Sequence, residues 1–98
     1  MAYVDNYAMP FQIKELKAME PVHIRFYGAA KAAAGVGEIE VSPATLGEIL
    51  ASVSEHNLLL RQVLSRCSFL IDGAHCNDLA VGVISGSTLD LLPPFAGG

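Results

Sequence analysis

Ninety-eight residues, 52% of them hydrophobic and only 16% charged, suffice for one compact domain with its own core and are too few for a second. The six basic side chains, Lys14, Lys17, Arg25, Lys31, Arg61 and Arg66, are scattered through a chain of formal net charge -4, so there is no basic stripe of the kind a nucleic-acid backbone requires. No apolar run approaches membrane-spanning length, and Met1-Ala2-Tyr3-Val4-Asp5-Asn6 has neither the basic start nor the apolar segment of a secretory signal, so the expectation is a cytoplasmic protein with neither nucleic acid nor membrane as partner.

Residues 1–20 mix polar and apolar positions without clear period. Phe11, Ile13, Leu16 and Met19 fit a short amphipathic helix, and a disordered extension fits the same composition. A domain is expected from Pro21 onward. Val22, Ile24 and Phe26 alternate with His23, Arg25 and Tyr27, the period of a half-buried strand. Ala29 to Ala34 favours helix but is short, and Gly35-Val36-Gly37 turns the chain into Glu38-Ile39-Glu40-Val41, a second alternating run. The two strands form a hairpin with a helical turn in its loop.

Thr45 followed three residues later by Glu48 predicts a capping box, and Leu46, Ile49, Leu50 and Val53 fall on one face of the main helix behind it. Asn57 is expected to stop that helix, with Leu60, Val63 and Leu64 continuing the pattern in a second short helical piece. Ser68-Phe69-Leu70-Ile71 reads as a buried strand ended by an Asp72-Gly73 turn, a minor strand is expected around Leu79 to Val83, and a final strand runs from Thr88 to Leu92. The order is ββαββ. It predicts an α+β fold: a mixed sheet of four to five strands with one main helix packed on one face, an arrangement in which the first and last strands can lie side by side and parallel at the centre.

Few residues carry chemistry. Cys67 and Cys76 are too few for a disulfide framework and read as semi-buried thiols. His75-Cys76, with Cys67 and Asp78 near, is a cluster with ligand chemistry, but its spacing matches no standard zinc pattern, so it reads as turn decoration and no metal is expected. His23 points away from Val22 and Ile24, His56 sits near a helix end, and neither has a nucleophile beside it. No Gly-Lys-Ser/Thr follows Gly28 or Gly35-Val36-Gly37, which are turn residues rather than a phosphate loop. A catalytic constellation is not expected.

The last six residues, Pro93-Pro94-Phe95-Ala96-Gly97-Gly98, carry the strongest signal. Each proline fixes φ and lacks the donor a ladder needs, so the pair stops the strand and holds the exit extended. Gly97 and Gly98 lack Cβ and can pass through a channel too narrow for a side chain, leaving a carboxylate as the reactive group at the tip.

Leu89-Asp90-Leu91-Leu92-Pro93-Pro94-Phe95-Ala96-Gly97-Gly98 resembles the C-terminus of the molybdopterin synthase small subunits, sulfur carriers of the ubiquitin-like β-grasp superfamily. Phe26 to Gly35 resembles that family's first strand and alanine-rich turn, and Thr45 to Leu50 its helix start, so the resemblance covers about residues 21–98. It implies a β-grasp carrier domain with a flexible tail, 93–98, and no catalytic residue of its own. Gly98 would be adenylated and then carry sulfur as a thiocarboxylate, Gly97 and Ala96 would thread, and Phe95, Pro94 and Pro93 would dock.

No cofactor would be bound. ATP and magnesium would serve an adenylating partner of the ubiquitin-activating type, a sulfur donor protein would supply sulfur, and the large subunit would complete a heterotetramer that delivers it to a pyranopterin in molybdenum cofactor biosynthesis. Gly86-Ser87-Thr88 stands where the family often has Gly-Asp, Asp72-Gly73 where Asn-Gly is frequent, and Lys31 where arginine is frequent, losing that residue's bidentate geometry. The alternatives are a carrier for cysteine or thiamine biosynthesis, with Pro93-Pro94-Phe95 arguing against the thiamine carrier more than the cysteine one, and a ubiquitin-like protein modifier.

Overall fold

The computed structural model describes residues 20–94. The expected extension, all but Glu20, and the tail residues Phe95, Ala96, Gly97 and Gly98 lie outside the described residues.

Strand β1 (Val22–Phe26) follows the alternation of its sequence: Val22, Ile24 and Phe26 are buried, while His23 and Arg25 take the other face. Helix α1 (Gly28–Ala34) is the helical turn in the hairpin loop, ended by Gly35 in the left-handed conformation with its N–H donating to the Lys31 carbonyl. Strand β2 (Glu38–Val41) returns antiparallel to β1, pairing Ile24 with Ile39 and Arg25 with Glu38. A two-residue strand β3 (Ala44–Thr45) then leads into α2 (Leu46–Val53).

The reciprocal box is present at that start. The Glu48 N–H donates to Thr45 Oγ1 at 3.1 Å and the Thr45 N–H to Glu48 Oε1 at 2.9 Å. The Glu48 carboxyl is held below its ordinary range, chiefly by the Thr45 backbone N–H and also by the Thr45 side chain.

Asn57 has a different role from the expected stop. Helix α2 already ends at Val53, and Asn57 caps the start of α3 (Leu58–Leu64), its Oδ1 accepting from the Leu60 N–H at 2.9 Å. Asparagine suits either end of a helix, and the difference is made by its amide, which also donates to the Ala33 carbonyl at the end of α1 at 2.9 Å. The helix expected from Thr45 is the longest among the described residues at eight residues, but α1 and α3 add seven each.

Strand β4 (Ser68–Ile71) and β5 (Ala74–His75) form a tight hairpin across Asp72-Gly73, both with positive φ, 50° and 84°. Glycine and aspartate are the residues that tolerate that left-handed pair. The minor strand is confined to β6 (Gly82–Val83), which pairs with β3 outside the main sheet. Gly47 permits the close approach there, because its N–H donates to the Leu79 carbonyl at 2.9 Å and a Cβ at that position would stand 3.2 Å from the same oxygen.

The last strand, β7 (Thr88–Leu92), is the middle of five in the order β2-β1-β7-β4-β5. It is parallel to β1, with Ile24 opposite Leu89 and Arg25 opposite Asp90, and antiparallel to β4, with Phe69 opposite Leu91. One face carries the core: Val22, Ile24, Leu89 and Leu91 are fully buried beneath Ala30, Leu46, Ile49, Leu60 and Leu64 of the helices. Each such side chain contributes about 1.5–3 kcal/mol by leaving water.

Candidate functional site at the end of the central strand

β7 is held from both sides along its length, so where it ends the chain must leave from the middle of the sheet rather than fray from an edge. The Tyr27 N–H donates to the Leu91 carbonyl at 3.3 Å, and Ser68 stands opposite Leu92. Pro93 and Pro94 follow without N–H donors, and neither extends the ladder. Pro93 is buried and Pro94 exposed. Of the two expected docking prolines, Pro93 is thus packed against its own domain and Pro94 faces solvent. Phe95 to Gly98 continue from that anchored point.

An ion pair missed by sequence reasoning lies on the open face two residues before the strand ends. Arg25 grips Asp90 with two N–H groups, Nε to Oδ1 at 2.6 Å and Nη2 to Oδ2 at 3.1 Å. The parallel register places them side by side, and the fork of a guanidinium matches a carboxylate. The Asp90 side chain is only 10% exposed against 44% for Arg25, and the hydrogen bond and charge of Asp90 hold the Arg25 guanidinium above its ordinary range. An outward arginine on β1 and an aspartate between Leu89 and Leu91 were legible separately. Their pairing depends on the register of two strands some sixty-five positions apart.

Beside the pair, His23 Nε2 lies 2.8 Å from Glu38 Oε1, and its Nδ1 is 3.8 Å from Glu40 Oε2. Lys31 extends its stem along Gly37, with Cε 3.4 Å from where a Cβ would stand. Arg25 and the β1 terminus thus stand beside the strand's exit, Lys31 lies against Gly37 at the start of β2, and no nucleophile with an activating base occurs among them.

The cysteines lie elsewhere. Both are free thiols; burial pushes Cys67 up to about 11, which keeps it protonated at neutral pH, and Cys76 Sγ is 3.7 Å from the Asp78 carbonyl. Among the described residues no group of three or more His, Cys, Asp or Glu could hold a metal ion. No helix among them is long and apolar enough to cross a membrane.

The fold is the ubiquitin-like β-grasp, with two hairpins in one sheet, a parallel central pair and the helices packed on one face. The chain is similar to the small archaeal modifier protein 1 of Methanosarcina acetivorans, with a TM-score of 0.68 and 21% identity over 82% of this chain and 98% of that one. It is likewise similar to the small archaeal modifier protein 1 of Haloferax volcanii, with a TM-score of 0.66 and 19% identity over 76% and 98%. A third similar structure is the complex of subunits 1 and 2 of the molybdopterin-converting factor from Helicobacter pylori, whose matched chain gives 0.62 and 23% identity over 80% and 99%. No protein-family model matches the sequence, and no curated protein matches it significantly.

Proposed function

We propose that the chain is a sulfur carrier, the small subunit of a molybdopterin synthase, working through a thiocarboxylate on Gly98. The observation that carries this reading is the course of the central strand, which leads through Leu92 and a buried Pro93 directly into Pro94-Phe95-Ala96-Gly97-Gly98. A carrier needs a reacting end that reaches into a partner while its base stays fixed, and a strand held on both sides provides that base.

A carboxylate is a poor acyl donor because its oxygen is a poor leaving group. In the proposed sequence a Gly98 oxygen attacks the α-phosphorus of ATP on an adenylating partner and releases pyrophosphate. Hydrosulfide, or a donor protein acting as its source, then attacks the acyl carbon; the carbon–oxygen bond to AMP breaks, AMP leaves, and the thiocarboxylate remains. Magnesium and ATP belong to the partner. The large subunit would take up the tail and route the sulfur to a pyranopterin, in line with the subunit 1 and 2 complex among the similar structures. The carrier itself contributes reach and orientation, and the acid–base groups belong to its partners.

A second reading is supported by the similarity to small archaeal modifier proteins: Gly98 would be joined to lysines by an isopeptide bond after the same activation. Intact mass separates the two. Incubation with ATP, magnesium, an adenylating enzyme and sulfide is expected to raise the mass by the difference between sulfur and oxygen, and deletion of Gly98 to abolish the rise. High-mass conjugates in host extracts without that rise would favour the modifier, and neither product would refute both.

A further inference from the structure

On the helical side of the molecule, residues of α2, α3 and the start of β4 line a groove of about 430 Å³. Leu50, Ala51, Leu64, Cys67, Phe69 and Leu79 form its apolar surface, and Leu79 on the rim is 55% exposed. The polar side chains along it are already engaged. Ser54 Oγ donates to the Leu50 carbonyl at 2.7 Å and Ser65 Oγ to the Gln62 carbonyl at 2.6 Å. Arg61 reaches the Ser54 and Glu55 carbonyls only at 3.4 and 3.3 Å and has no carboxylate partner among the described residues. A polar small molecule finds few groups to bind there. An apolar segment with one acidic residue fits.

We infer that this groove is the docking site of the chain's own leading segment, with Tyr7, Met9 and Phe11 as the inserted side chains and Asp5 facing Arg61. Residues 1–11 carry three large apolar or aromatic side chains within Tyr7-Ala8-Met9-Pro10-Phe11, and Asp5 is their one charged side chain. This complements a groove whose one charged lining residue is Arg61.

The reach is sufficient. Pro21 sits beside Gly86 at the opposite end of the strands from Phe69, so groove and anchor are separated by one strand length, two strand spacings and one layer, on the order of 20 Å. The fourteen residues from Tyr7 to Pro21 span about 21 Å even if fully helical, and the ten from Phe11 span about 33 Å extended. Tethering presents the segment at an effective concentration of about millimolar, so a weak contact suffices to fill the groove. Docking there would leave the open sheet face and the tail free, so the inference does not rest on the sulfur-carrier reading.

Cys67 lines the groove and reports its occupancy. In the full chain carrying Cys76→Ser, alkylation of Cys67 by N-ethylmaleimide is expected to be at least about tenfold slower than in the same chain carrying Tyr7→Ser, Met9→Ser and Phe11→Ser, at every protein concentration. Equal rates would overturn the proposal. Protection that is lost on dilution and ignores the three substitutions would assign the groove to a second copy and overturn it equally. As an independent readout, Leu79→Glu on the rim is expected to speed chymotryptic cleavage after Phe11, and unchanged cleavage would also refute docking.

Discussion

Asp90 is an acid in the middle strand of a five-stranded sheet, 7% exposed, between two leucines that are fully buried. Its burial there is tolerated because Arg25 supplies a cation and two N–H donors where the open face brings them together. The two partners are not equivalent. Arg25→Ala leaves a nearly closed carboxylate unpaired, whereas Asp90→Ala frees a half-exposed arginine that turns into water. The urea midpoint is therefore expected to fall further in Arg25→Ala than in Asp90→Ala, with the double variant recovering toward the Asp90→Ala value; equal losses would contradict this asymmetry. Cys67 makes a second residue-scale prediction. Burial raises its thiol from 9.0 to about 11, so the unfolded chain ionises first. The stability this group contributes is whole below pH 9 and is lost as pH rises through about 11. Urea midpoints followed across that interval should decline less steeply in Cys67→Ala than in the parent chain.

At the scale of elements, the helical layer is assembled by short helices that stabilise one another rather than by one long one. Seven or eight residues are too few for a helix to persist alone in water, so caps and tertiary contacts carry them. Thr45 and Glu48 act within α2 alone, and such a box is written entirely in local sequence. Asn57 acts between helices, its oxygen capping α3 and its amide nitrogen serving the Ala33 carbonyl of α1. Asn57→Asp keeps the capping oxygen but sets a carboxylate oxygen against that carbonyl. Both Asn57→Asp and Asn57→Ala are expected to lose about 1–2 kcal/mol in urea unfolding, although aspartate is as good a cap as asparagine at an isolated helix start. Full stability in Asn57→Asp would mean that the link to α1 carries no weight.

For the whole molecule, the parallel pair of β1 and β7 fixes the end of the last strand in the middle of the sheet, and the proposed carrier chemistry would take place beyond it. Stability and carrier function should then be separable by mutation. Leu91→Ala removes a fully buried side chain from the centre and is expected to cost about 2–5 kcal/mol in chemical denaturation. Gly97→Val lies beyond the anchored Pro93 and should leave the denaturation curve unchanged while blocking sulfur loading, because the branched side chain cannot follow glycine into a narrow channel. Normal loading of Gly97→Val would remove the case for a close-fitting tail channel.

The alternation of Val22 to Phe26, the Thr45-Glu48 box, the Asp72-Gly73 turn and the strand Thr88 to Leu92 were all readable in the sequence, because each is governed by contacts within a few residues. The order of these elements admitted the parallel central pair, which the register of β1 and β7 then shows. The chemistry expected of the Gly97-Gly98 end comes from sequence resemblance alone, and those two residues lie outside the described part. Asn57 was misplaced because a cap and a stop look alike until the Ala33 carbonyl it serves is known. Arg25 and Asp90 stayed separate, and the burial of Pro93 beside an exposed Pro94 was unreadable, because both depend on strands brought together from distant parts of the chain. Local chemistry determined the elements and supplied the expectation for the Gly97-Gly98 end; only tertiary packing decided which charges meet, which proline is anchored, and where the helices leave a groove, since register and layer contacts join residues that no sequence period relates.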